Sequence, residues 1–192
     1  MKTSNSPSLE SNTVPDRVAD TRAAFTPQSK RLRYLQVEAA LAQAQGRLGL
    51  IPSKAADAIA ATARSLVPDP EAIKARVAVH GHSMMALVEV LADAVGEYGG
   101  WVHWGATTQN IQQTGDVLVL RDVREAVIAQ LRDALAALAD LSEATAATPM
   151  AGRTHWQHAV PISFGLKTAA WADQCYGIWS AWSSWGPACS GR

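Results

Sequence analysis

Nothing in this 192-residue sequence reaches the roughly 18 uninterrupted apolar residues that a membrane-spanning helix needs. The first twenty residues, MKTSNSPSLESNTVPDRVAD, are polar and lack the apolar core of a secretory leader. Neither sign of charge is in excess, because 17 Lys plus Arg balance 17 Asp plus Glu. With no basic cluster either, a nucleic-acid partner is not expected, since phosphate demands a positive patch. Lys30, Arg31 and Arg33 fit a solvated helix face equally well. Cysteine is nearly absent. Cys175 and Cys189 lie near the end without CxxC or Cys/His spacing, which argues against a metal centre and for a reduced, cytoplasmic setting. No stretch shows the period-two alternation of a half-buried strand, so the expected fold class is all-α.

What is present is helical periodicity in a chain that is 48% apolar, enough to bury a core. Leu32, Leu35, Ala39, Ala42 and Leu48 recur at three- and four-residue steps over Gln28 to Leu48. Gly49 sits where that helix would close, and Pro52 where the next would open, running to about Ala63. Pro68 and Pro70 break it, and Asp69 is placed to cap a successor. Met84 to Val95 is amphipathic and ends before Gly99 and Gly100.

The segment WVHWGATTQNIQQTG, residues 101–115, reads as a loop. After it, Leu120, Val123, Val127, Leu131, Leu135, Leu138 and Leu141 keep one stripe, and no Gly or Pro interrupts Asp116 to Thr148. A helix of that extent is roughly 50 Å long. A compact domain of this size has a radius of gyration of about 16 Å, so the helix calls for bundle partners, most simply other chains.

Pro149 to Gly152 reads as a second loop, with a helix from Pro161 through Trp171. The final stretch, IWSAWSSWGPACSGR, holds three of the seven tryptophans and no helical stripe. It reads as a frameshifted or otherwise aberrant end, the alternative being a genuine, partly exposed Trp-rich tail. The resulting division is a disordered tail over 1–20, a helical domain over 21–108, a partial central bundle over 109–177 and the aberrant end over 178–192.

Two loops hold the polar groups that chemistry needs. The first offers His103, Thr107, Thr108, Gln109 and Asn110, where hydroxyls and backbone N–H groups could converge on a carboxylate. The bland alternative is a capped helix start, with Asn110 or Thr114 as N-cap, and spacing alone favours it. The second offers Arg153, Thr154, His155, Gln157 and His158. A loop imidazole titrates near neutrality and suits proton transfer, although a structural hydrogen bond is its commoner use. His80 and His82, two residues apart, fall on different helix faces and make a poor metal pair.

Four segments in order carry a family likeness. HWGATTQNIQQTGD (103–116) and MAGRTHWQHAVPISFGLKTAAW (150–171) resemble the first two signatures of adenylosuccinate lyases and 3-carboxy-cis,cis-muconate cycloisomerases, a branch of the fumarase/aspartase superfamily. RLRYLQVEAALAQAQGRLGLIP (31–52) resembles the family's first helix and turn. His82 with SMMALV resembles its His-Asp segment, with Ser83 in place of the acid. The likeness spans about residues 25–175.

This resemblance implies a homotetramer around a bundle of long helices, with each active site built from several subunits. It implies anti β-elimination from a substituted succinate to give fumarate, with no cofactor and no metal. By resemblance, His155 is the acid on the leaving group. Thr107 and Thr108 bind a substrate carboxylate with Gln109, His82 and His103 line the pocket, and Arg153, Thr154 and Gln157 contact substrate. Cycloisomerases of the branch commonly carry Trp where lyases carry His, so His155 favours a lyase, while the wording QHAVPISFG leans the other way. Asn110 and Gln113 stand where acids are usual, so the substrate is expected to differ from adenylosuccinate. The family's third signature, a G-S-S-x-M-P-x-K-x-N loop bearing the base, has no counterpart in the sequence. The expectation is an amino-terminal portion of such an enzyme, with little or no turnover alone, or else a helical module that pairs with a full-length paralogue.

Overall fold

The computed structural model describes residues 17–184; residues 1–16 of the expected tail and 185–192 of the expected aberrant end lie outside the described residues. The chain forms α1 (Arg17–Ala24), α2 (Pro27–Arg47), α3 (Ser53–Ser65), α4 (Pro70–His80), α5 (Ser83–Val95), a 3-10 turn (Gly96–Trp101) and α6 (Thr108–Ala144). A hairpin of β1 (Pro149–Thr154) and β2 (Gln157–Ser163) then leads into α7 (Phe164–Ser184). Among the described residues the fold is all-α but for this two-stranded sheet.

Local chemistry explains most helix ends. The Thr26 hydroxyl accepts from the Ser29 N–H ahead of Pro27, and Asp69 accepts from the Glu71 N–H ahead of Pro70. α4 stops at Gly81, which takes the left-handed conformation (φ 67°). α2 buries Tyr34, Leu35, Glu38, Ala39 and Ala42 along one stripe. It meets α3 so closely that a Cβ on Gly46 would lie 2.5 Å from the Ala56 methyl. The core is completed by Ile59, Ile73, Met84, Leu87, Leu91 and Ile111.

α6 begins earlier than its composition suggests. Thr, Asn and Gly are weak helix formers, yet Thr108 to Gly115 are helical because Ile111 and Gly115 pack into the core. A Cβ on Gly115 would come within 2.4 Å of the Tyr34 ring. Neither Asn110 nor Thr114 is the cap: Thr107 holds that position, and the Thr114 hydroxyl bonds back to the Asn110 carbonyl. At the same joint, Lys30 Nζ and Tyr34 Oη both reach Asp116 Oδ1, at 2.9 and 3.1 Å, and Arg33 pairs with Asp122. The hydrogen bond to Asp116 holds the Lys30 ammonium above its ordinary range. Burial, followed by that same carboxylate, pushes the Tyr34 phenol up.

Two expectations about the second half need correction. Residues 149–163 are not a loop leading into a helix at Pro161 but an antiparallel hairpin, with a bulge between Ala151 and Arg153. Its second strand is exposed along most of its length, so it carries no alternation to read, and both strands are edges, where Pro161 is tolerated. Gly152 there faces the two residues Ala159 and Val160 of β2, and a Cβ on it would lie 2.5 Å from the Val160 carbonyl oxygen. The Ser163 hydroxyl then caps α7 by accepting from the Leu166 N–H.

Nor does the helix dissolve before the Trp/Ser stretch, for α7 continues through Ser184. It runs antiparallel to α6. Ser142 Oγ meets Thr168 Oγ1 at 2.8 Å near one end, Arg132 lies over the Trp179 ring midway, and Arg124 donates to the Trp182 and Ser183 carbonyls at the other. Those last bonds put a cation against carbonyls of the last described turn of α7.

Candidate functional site

The polar loops occupy the two ends of α6. At its amino end the chain leaves the 3-10 turn through Val102 and enters a tight corner where His103 (φ 59°) and Gly105 (φ 63°) are both left-handed. Histidine rarely adopts that backbone, and here it aims the imidazole at α2. His103 Nδ1 lies 2.6 Å from Glu38 Oε1, with the two side chains only 10% and 1% exposed. The Gln45 amide donates to the Trp104 carbonyl at 2.7 Å, and Trp101 packs on Trp104 with ring centroids 4.8 Å apart, so the corner is held from two sides. Thr107 follows as N-cap without using its side chain, leaving its hydroxyl and the first-turn N–H groups at Thr108 and Gln109 open to an acceptor.

At the other end, the Thr154–Gln157 pair closes the hairpin across a two-residue turn. Both turn residues have positive φ, His155 at 39° and Trp156 at 66°. Such turns normally take Asn-Gly. Left-handed backbone at residues with a Cβ costs roughly 1–2 kcal/mol each, so these two positions are strained. Strain of this kind clusters where a side chain must be presented. An open cleft of about 360 Å³ is lined by Arg153, Thr154, His155, Trp156, Gln157 and His158.

The predicted residues therefore fall into three places. His103, Thr107, Thr108 and Gln109 share the amino end of α6, and Arg153, Thr154, His155 and Gln157 share the hairpin. His82 caps α5, its Nδ1 accepting from the Met84 and Met85 N–H groups at 3.2 and 3.4 Å. His80 turns instead to Glu89, at 2.9 Å. The 37 residues of α6 span about 55 Å, so one chain does not bring the threonines and His155 together.

Glu38 is the residue that sequence reasoning missed. Its signal was visible: a carboxylate within the apolar stripe of Leu35, Ala39 and Ala42 must have a buried partner. The partner lies 65 residues away and could not be named.

A profile described as a lyase family matches residues 13–177. The chain belongs to the fumarate lyase superfamily. Among its fumarate lyase relatives, N-acetyl-S-(2-succino)cysteine lyase of Enterococcus italicus is 44% identical over 156 residues, 81% of this chain and 34% of that enzyme. Adenylosuccinate lyase of Pyrococcus horikoshii is 36% identical, with 81% of this chain and 34% of that one covered. The crystal structure of 3-carboxy-cis,cis-muconate lactonizing enzyme from Pseudomonas putida superposes with a TM-score of 0.81 at 31% identity, over 89% of this chain and 40% of that one. The chain thus spans about a third of the length of the curated fumarate lyases it matches.

Proposed function

We propose that this chain serves a β-elimination that converts a 2-substituted succinate into fumarate. The observation that carries the reading is the hairpin tip, where a strained turn presents an exposed imidazole inside a cleft of polar groups. A base removes the Cβ proton, and the electron pair is held as the aci-form of the adjoining carboxylate. The bond to the leaving atom then breaks, and that atom takes a proton from His155. Thr107, Thr108 and Gln109, with the open amides of the first turn of α6, hold a substrate carboxylate. His82 and His103 line the pocket, and Arg153, Thr154 and Gln157 contact the substrate around the acid.

The two loops are too far apart for one chain, so the site is shared among chains, in a homotetramer or with a full-length paralogue. In the second arrangement the base comes from the paralogue, which carries the third signature, and residues 1–192 by themselves turn over little or no substrate. The leaving atom is nitrogen or sulfur. The relative that is 44% identical acts, by its name, on an S-(2-succino) compound, and an ordinary thiol, with a pKa of about 8.5, departs with less acid help than an amine. Retention of His155 favours elimination over the cycloisomerase reading.

Complementation tests the proposal. A full-length relative whose own histidine at the matching position is replaced by alanine is mixed and refolded with this chain, and fumarate release from S-(2-succino)cysteine derivatives and from adenylosuccinate is followed by absorbance. Restored turnover that disappears with His155→Ala is the expected result. Equal restoration by the His155→Ala chain would defeat the assignment.

A further inference from the structure

His82 and His103 are given opposite protonation patterns by their surroundings. The His103 ring points Nδ1 at Glu38 Oε1, and Glu38 is 1% exposed within an otherwise apolar stripe. A leucine at position 38 would fill the stripe without the desolvation cost that a buried carboxylate carries. His103 Nδ1 is the one hydrogen-bond partner of that carboxylate among the described residues, and Glu38 Oε2 is buried with no partner. An ionised carboxylate accepts and cannot donate, so the shared proton sits on Nδ1. The lone pair of the neutral ring is then left on Nε2, which bonds to nothing among the described residues and is not one of the buried unpaired atoms. His82 is the reverse case. Its Nδ1 accepts from two backbone N–H groups, which can only donate, so the proton of its neutral ring sits on Nε2.

We infer that Glu38 is a positioning residue that locks His103 as the Nδ1–H tautomer with an accepting Nε2, while the α5 cap locks His82 as an Nε2–H donor. The fold thereby supplies one histidine able to donate to an anionic oxygen and another able to accept from a hydroxyl or amine. The tautomers follow from the local partners alone; only what the two Nε2 atoms meet rests on the elimination reading above. The left-handed backbone at His103 (φ 59°) accompanies this placement.

The test is long-range nitrogen–proton NMR of the imidazole rings in the nitrogen-15-labelled full chain, at about pH 9, above the ordinary imidazole range. The five histidines are assigned by single His→Gln variants. The expected result is a protonated-type Nδ1 and lone-pair-type Nε2 at His103, favoured about tenfold or more, and the inverse at His82. In Glu38→Leu the His103 preference is lost while His82 is unchanged. A wild-type His103 carrying its proton on Nε2, or a His103 preference untouched by Glu38→Leu, would overturn the inference, and the wild-type measurement stands even if the variant fails to fold. Because the readout needs no turnover, a failed complementation assay with the expected tautomers would sink the elimination reading and spare this one.

Discussion

The first half of the molecule and the second solve different problems with the same helices. From Pro27 to Val119 each helix buries an apolar face, and Leu35, Ile59, Ile73, Leu87 and Leu91 are essentially sealed from solvent. Beyond Val119, α6 has no buried residue, and α7 buries only Gly165 and Thr168. Leu120, Leu141, Leu166, Trp171, Tyr176, Ile178 and Trp182 stay exposed. Two helices can close one seam, and the apolar groups off that seam have nothing to cover them. The comparison teaches that stability resides in the helical head, whereas the arm displays surface of the kind an assembly buries, in keeping with the proposed multi-chain site.

That contrast can be broken most sharply in the head. Leu35→Ala should cost about 2–5 kcal/mol of unfolding free energy in denaturant titrations, since the cavity lies in a closed core. The same truncation at Leu120 should change the unfolding of the isolated chain by no more than about 0.5 kcal/mol, and an equal loss at both sites would erase the distinction. The seam itself is probed at Gly165, where a Cβ would sit 2.6 Å from the Ser142 carbonyl oxygen and 2.7 Å from Ala146 Cα. Gly165→Ala should therefore cost about 1–3 kcal/mol, read as faster amide exchange along α7 with the exchange of α2 and α3 unchanged.

A gain is expected at the hairpin. Trp156→Gly relieves one left-handed residue and should slow exchange at the Thr154–Gln157 pair by an amount equivalent to about 1 kcal/mol, leaving the head untouched. The smallest effect concerns the joint between the halves. Folding raises the pKa values of both Lys30 and Tyr34, from ordinary values of 10.5 and 10.0. Their contribution is fully present below those ordinary values and is lost as pH rises through the higher folded ones. Stability should thus decline more steeply above about pH 10 than in Asp116→Asn, which lacks the carboxylate that both groups share.

Much of the head was legible because local signals and packing agree there. Asp69 with Pro70, the stripe of Leu35, Ala39 and Ala42, and Gly49 after α2 each marked an element boundary or face that the structure keeps. The start of α6 was hidden because long-range contacts of Ile111 and Gly115 override weak local propensity. The hairpin was hidden because a strand exposed on both faces has no period to show, and the continuation of α7 through Ser184 because Arg124, far upstream, binds carbonyls there. For the site, the two polar loops could be found by residue type alone. Their separation by one long helix also followed from its unbroken stripe, whereas the turn that carries His155 and the hold of Glu38 on His103 are properties of three-dimensional arrangement.

The unfavourable backbone at His155 and Trp156 has a practical corollary for anyone improving this protein. A library sorted only for heat resistance would drift toward Asn-Gly at the tip, because that pair suits the bend. Sorted that way, the winners would be sturdier molecules that had discarded the imidazole at the mouth of the cleft, so any such screen has to score chemistry alongside melting.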